Sequence, residues 1–148
     1  MAKNRIQLDE QGYRVEEAIA LAEINPGNLL ELLSTGKVQK HSEEDGFGLV
    51  MVAVEDALQG NTVIIAYAAD ARVIYHHEAP ATRFMALLKA GENVTIGEAL
   101  ISDGEGRLIA QTSRGSDEAV KRIMAWAEEA EDLSAVGAVD TLIAVRAD

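Results

Sequence analysis

Three histidines, three acidic clusters and a handful of serines are the residues of this chain whose types could do chemistry. His41, His76 and His77 are the only imidazoles, and the chain has no cysteine. His76 and His77 are adjacent in Arg72-Val-Ile-Tyr-His-His-Glu78, a run that reads as a strand. Successive strand residues face opposite ways, so the pair cannot readily chelate one metal. A metal site would need His41 and a carboxylate such as Glu78 to converge, and nothing in the spacing requires it. No metal ligand set is expected.

The carboxylate clusters are Glu43-Glu44-Asp45, Glu128-Glu129 with Glu131-Asp132, and Asp103-Gly-Glu-Gly106. Calcium loops need ligands at fixed offsets with a closing bidentate Glu, which the last segment lacks. Solvated turns are the simpler expectation for all three. Ser102, Ser113 and Ser116 lie in turn-like stretches without a G-x-S-x-G elbow, a base or an orienting group at recognisable spacing. Neither a P-loop nor a G-x-G-x-x-G phosphate cradle is present. The expectation is a protein that is not an enzyme and takes no cofactor.

Composition narrows the partners. The 148 residues carry 25 acids against 13 Lys plus Arg, a formal net charge of −12. Nucleic-acid binding draws its affinity from local positive charge that displaces counterions. Here the closest basic groupings are Lys37/Lys40 and Lys121/Arg122, so no nucleic-acid partner is expected. The two Phe, three Tyr and one Trp also leave little for stacking bases. No apolar run approaches the ~18 residues of a spanning helix, and Met1 to Asp9 lacks a signal-peptide core, so no membrane role is expected. Hydrophobic residues make up 48% of the chain, enough for a core built from Ala, Val, Leu and Ile.

The elements that would position these residues are mostly strands. Asn25-Pro26-Gly27-Asn28 suits a type II turn, with Pro presetting φ and Gly accepting a positive one. Leu29 to Leu33 is a short apolar run. Lys37-Val-Gln-Lys-His41 alternates like a strand with one wet face. Phe47 to Glu55 (FGLVMVAVE) is nearly continuous in apolar residues, the mark of a strand buried on both faces. Strands are also expected at Arg72–Glu78 and Asn93–Ile96, with a further short apolar run at Phe84–Leu88. Ala99–Ser102 and Arg107–Gln111 flank a two-glycine loop and form the clearest hairpin. Thr141–Arg146 is a closing strand.

Two segments are less regular. Residues 1–24 read as an extended N-terminal arm, with Ile6 and Leu8 alternating with polar neighbours and Tyr13, Arg14 and Val15 resuming after a Gln-Gly break. Residues 116–131 fit a helix capped by Ser116, with Ala119, Val120, Ile123, Met124 and Ala127 along one face, and fit a strand over Arg122–Glu128 equally well. The expected fold is mainly β: a compact β-barrel or β-tulip-like domain over 25–148, an arm over 1–24, and room for one short helix near 116–130.

The order of several segments resembles the decoration, or capsid-stabilising, proteins of tailed bacteriophages. These are Ile24-Asn-Pro-Gly27 leading into Leu29-Leu-Glu-Leu32 and Lys37-Val-Gln-Lys-His41, and Ala53-Val-Glu-Asp-Ala-Leu-Gln-Gly60. Ala66-Tyr-Ala-Ala69, Asp70-Ala-Arg-Val73, Leu87 to Gly97 and Leu100-Ile-Ser-Asp-Gly104 follow. The likeness covers about residues 4–112 and resumes at Asp140 to Arg146, and it rests on the order of segments and on no single motif. It implies a subunit on the outer capsid surface of a virion, made in the host cytoplasm. Its partners would be the major capsid protein and two further copies of itself, as a homotrimer at three-fold or pseudo-three-fold positions. Under that resemblance Ile6, Leu8, Tyr13 and Val15 are the expected arm contacts, with Arg5 and Arg14 pairing to acidic capsid groups. The alternatives are another head or tail subunit, such as a tail-tube or head-completion ring, and a β-barrel module that binds a small ligand.

Overall fold

The computed structural model describes residues 3–44, 48–111 and 122–148. It is mainly β, with twelve strands among those residues and one 3-10 turn at Ala57–Gln59. No helix among them is long and apolar enough to cross a membrane. The strands are β1 (Tyr13–Ala20), β2 (Leu30–Leu32), β3 (Lys37–Lys40), β4 (Met51–Ala53), β5 (Arg72–Glu78) and β6 (Arg83–Leu88). They continue with β7 (Asn93–Val94), β8 (Ala99–Ser102), β9 (Leu108–Ala110), β10 (Ala125–Ala127), β11 (Glu131–Asp132) and β12 (Thr141–Ala147).

Two layers of strands surround two cores. The first sheet runs β2-β3-β1-β5-β4, and the second closes into a barrel, β10-β12-β6-β9-β8. Ala20, Ile24, Leu30, Val38, Met51, Ala53, Tyr67, Val73 and Tyr75 fill the first sheet's interior. The barrel encloses Phe84, Leu88, Leu100, Leu108, Ile143 and Val145. Between them lies β4. Its alternation sends Met51 and Ala53 into the first core while Val50, Val52 and Val54 enter the second. Within the apolar run FGLVMVAVE, Val50 to Val54 has no polar phase because the strand has no wet face, whereas Leu49 ahead of it is exposed. Phe47 itself lies outside the described residues.

The Asn25–Asn28 turn locks this wall in place. Asn28 N–H donates to the Asn25 carbonyl at 3.0 Å, and Gly27 takes φ +89°, as a type II turn requires. Gly27 donates to Ala53 O at 2.8 Å and accepts from Leu87 N at 2.9 Å, so one residue ties β4 to β6. A Cβ there would stand 2.4 Å from Leu142 Cδ2, so glycine is needed for space as well as for φ. A second seam joins the two units at the β8–β9 hairpin. Gly106 O accepts from Leu29 N at 2.8 Å and from Asn28 Nδ2 at 3.1 Å. Gly106 N donates to His41 O at 3.1 Å.

The hairpin pairs Leu100 with Ala110 and Ser102 with Leu108, and both its glycines take positive φ. The segment expected to be strand or helix is resolved in favour of strand where it is described. Met124, Ala125 and Ala127 are buried, and β10 lies between β12 and β8. Helix propensity loses here because pairing on both edges and burial against the barrel favour an extended chain. Residues 112–121, including Ser116, Ala119 and Val120, lie outside the described residues.

The segment expected as an extended N-terminal arm over 1–24 is extended at β1, and its described residues pack on this chain's own sheet and barrel. Ile6 is 0% exposed and belongs to the barrel core. Ile6 O accepts from Met85 N at 2.6 Å, and Gln7 bridges Phe84. Leu8 packs half-buried against the same core. Tyr13 to Ile19 then pair with β5 along its whole length. β1 lies before residue 25, and the strands it pairs with, β3 and β5, lie after it. Ile6 and Leu8 are apolar in order to fill this chain's own barrel. Replacing Ile6 with Ala is expected to cost about 2–5 kcal/mol, measured by urea denaturation. A change below ~0.5 kcal/mol would mean the segment docks only loosely.

Candidate functional site

Of the six sequence-derived contact residues, Arg5, Tyr13 and Val15 meet at one face of the first sheet, while Ile6, Leu8 and Arg14 do not. Arg5, Gln7, Tyr13, Val15, Glu17, Val54, Glu55, Ala57, Leu58, Ile74 and His76 line a shallow groove of about 310 Å³. The β1–β5 register sets Val15 opposite His76 and Glu17 opposite Ile74, so alternate residues of both strands look into it. Val15 is 54% exposed and Leu58 90%, an apolar floor and rim open to solvent. Arg5 is exposed. Arg14 faces the other side of the sheet, where its Nε lies 3.0 Å from Glu16.

Beneath the groove sits a polar cluster that spacing did not reveal. Tyr13 stacks on His76 with ring centroids 4.3 Å apart. His76 Nδ1 and Gln7 Oε1 are 2.8 Å apart. The amide oxygen only accepts, so Nδ1 carries the proton. Burial holds His76 neutral, with its pKa pushed down to about 4. The Glu78 side chain is fully buried 3.8 Å away, and neither of its oxygens has a hydrogen-bond partner. Burial pushes its pKa up to about 7; Gln7 pulls slightly the other way and the Asp9 charge adds a little. Both groups therefore rest neutral near pH 6.

The two histidines of β5 do face opposite ways. His77 Nε2 lies 3.2 Å from Glu16 Oε2, which also accepts from the Tyr75 hydroxyl at 3.0 Å. These donors hold the Glu16 carboxyl below its usual range, Tyr75 first. His41 is in a different place, buried with its Nδ1 2.8 Å from Ser102 Oγ. Ser102 is 0% exposed, and its Oγ also accepts from Gly104 N at 3.2 Å. The pair braces the second seam, with the Ser102 side chain wholly buried and His41 nearly so. Ser113 and Ser116 lie outside the described residues.

Two of the acidic clusters are paired more fully than solvated turns would be. Asp103 accepts from the amides of Glu105 and Arg107 at 2.8 and 3.0 Å and pairs with Arg107 Nε at 2.7 Å. Glu129 takes Lys3 at 2.9 Å and Glu128 takes Arg146. Among the described residues no three His, Asp or Glu side chains gather as ligands of a metal ion.

The architecture is thus an open β sheet and a closed β barrel sharing one wall, with an exposed apolar groove on the sheet. No family model matches the chain, and no curated protein matches it. Among solved structures, it is similar in fold to the N base of the head fiber gp8.5 of bacteriophage phi29. The TM-score is 0.55 at 12% identity, over 92% of this chain and 94% of that one.

The buried pair makes a test in pH. His76, depressed in the folded state, stabilises above its unfolded value and loses that stability as pH falls from 6.5 toward 4. Glu78, raised in the folded state, stabilises below its unfolded value and loses that as pH rises from 4.5 toward 7. The two trends oppose over nearly the same window, so the native chain's stability changes little there on their account. Glu78→Gln is expected to leave a melting temperature that climbs from pH 4 to 6.5, and His76→Gln one that falls from pH 4.5 to 7. Parallel pH profiles for the two variants would show that the pair is not neutral.

Proposed function

We propose that this protein is a structural component of a phage head, seated on the outer capsid surface. There it would act as a homotrimer at three-fold or pseudo-three-fold positions, bridge neighbouring capsomers and stabilise the shell. The observation that carries this reading is the near full-length fold likeness to a phage head fiber base. The groove supplies the contact face of this reading, with exposed Val15 and Leu58 beside Arg5. An acidic protein of net charge −12 is also repelled by packaged DNA and by other polyanions.

Weak contacts suffice in this role. Each copy brings a modest apolar face, but copies tethered in a trimer bind their second and third sites intramolecularly. Retention can then exceed single-site affinity by on the order of 10²–10⁴. The barrel interior is packed with side chains such as Phe84, Leu100, Leu108 and Ile143. A small ligand of the alternative reading would therefore have to sit outside the barrel interior.

The test uses expanded, empty capsids of the phage whose genome encodes the chain. Co-sedimentation is expected to saturate, and the bound protein to raise the capsid melting temperature. Arg5→Glu with Leu58→Asp is expected to lower occupancy about tenfold while the free protein melts as before, since both side chains are exposed. Absence of saturable binding by the unaltered chain would overturn the proposal. Unaltered occupancy in the double variant would move the contact face elsewhere.

A further inference from the structure

Half of β1 has an open hydrogen-bonding edge. Ala79 N donates to Gly12 O at 2.8 Å and Ala20 N donates to Ala71 O at 2.8 Å. With the β1–β5 register, these bonds turn the main-chain groups of Arg14, Glu16 and Ala18 toward β5. The groups of Tyr13, Val15 and Glu17 must therefore point the other way. On that side β3 reaches only Ile19 and Ala20, with Leu21 N donating to Val38 O at 2.8 Å. The amides and carbonyls of Tyr13, Val15 and Glu17 have no partner in any described hydrogen bond. The stretch holds no proline or glycine, no strand among the described residues covers it, and Val15 is 54% exposed on it.

The geometry points to a second copy of this chain as the occupant, paired antiparallel through β1 about a two-fold axis at Val15. That register aligns Tyr13 with Glu17 of the other copy and Val15 with itself, making about six backbone hydrogen bonds. It also sets Arg14 directly opposite Glu16 of the other copy, twice, on one face. Opposite charges in such cross-strand pairs are stabilising. Sliding one step either way places Arg14 against Arg14 or Glu16 against Glu16, so charge selects the Val15-centred register. The side chains of Arg14 and Glu16 already lie on one face, 3.0 Å apart within a copy. Arg14 is 79% exposed, and its guanidinium is free to turn to the second carboxylate. This self-pairing is isologous. It goes beyond the capsid reading and does not rest on it, because a three-fold assembly needs a different, head-to-tail contact.

The test is the oligomeric state of the full chain by sedimentation equilibrium, together with two kinds of variant. A concentration-dependent dimer is expected. Val15→Pro removes only an outward amide and leaves the ladder to β5 intact, as edge prolines do. It deletes two bonds per dimer and is expected to weaken association about tenfold or more. Arg14→Glu, at an exposed position, is expected to weaken it as well by setting Glu against Glu. The chain has no cysteine, so Val15→Cys should form a disulfide-linked dimer under mild oxidation, the Cα separation across such a pair (~5.5 Å) being within disulfide reach. Ile96→Cys, exposed elsewhere, should not. A chain that stays monomeric at every concentration overturns the inference. If Val15→Pro then loses capsid binding, the edge takes a strand of the capsid protein instead. A trimer indifferent to all these variants also overturns it, while leaving the proposed function standing.

Discussion

Everything in this molecule leans on β4, a strand that buries both of its faces. Three residues of it lie between two cores, and the valines on either side extend the wall. A strand in that position can contribute no polar residue, and its main-chain groups must find partners on both edges. One edge is taken by β5. The other is taken by the Asn28–Leu29 stretch that follows the type II turn, where Leu29 bridges Val52. The first sheet is thereby curled nearly shut, and the barrel is pressed against it through Gly27, Leu87 and the hairpin at Gly106. Loss of packing at this wall would open both cores together.

The N-terminal segment follows from the same constraint. Once the two units share a wall, the seam between β5 and β6 needs a cover, and residues 6–9 supply it. Ile6 fills the barrel, Gln7 caps His76, and Asp9 holds the Arg83 amide and guanidinium at 2.8 and 3.0 Å. That cover seals Glu78 away from water, and burial favours the neutral form of its carboxyl beside the His76 imidazole. The exposed face of β1 is the residue of this arrangement. Its inner neighbours are spoken for, and its outer edge and the groove beside it are left open.

Much of the strand pattern was legible in the chain. Alternation over Lys37–Lys40 and Arg72–Glu78, the glycine pair after Ser102 and the Pro-Gly turn at residue 26 all act within a few residues, and each appears where its local signal put it. The unbroken apolar run before Glu55 announced double-sided burial without naming what lay on either side. Other features were not legible. The 116–131 segment has helix-forming composition, yet Ala125–Ala127 is a strand because β8 and β12, more than a dozen residues away on either side, hold it extended. Ile6 and Leu8 look like an interaction arm by alternation alone, since a strand that docks on its own domain and one that docks on another read the same.

The sequence by itself determined that this is a β-rich, acidic chain with tight glycine turns and one strand that must be wholly buried. Those properties follow from side-chain chemistry and short-range backbone sterics. Only the tertiary structure decided which apolar residues are spent inside and which remain outside. It drew Ile6 and Leu8 into the barrel, brought Gln7, Tyr13, His76 and Glu78 together, and left Arg5, Val15, Leu58 and the β1 edge facing solvent. The physical reason is that burial and strand pairing are settled between segments far apart in the chain, and local pattern carries no record of which neighbour will claim a given edge or face.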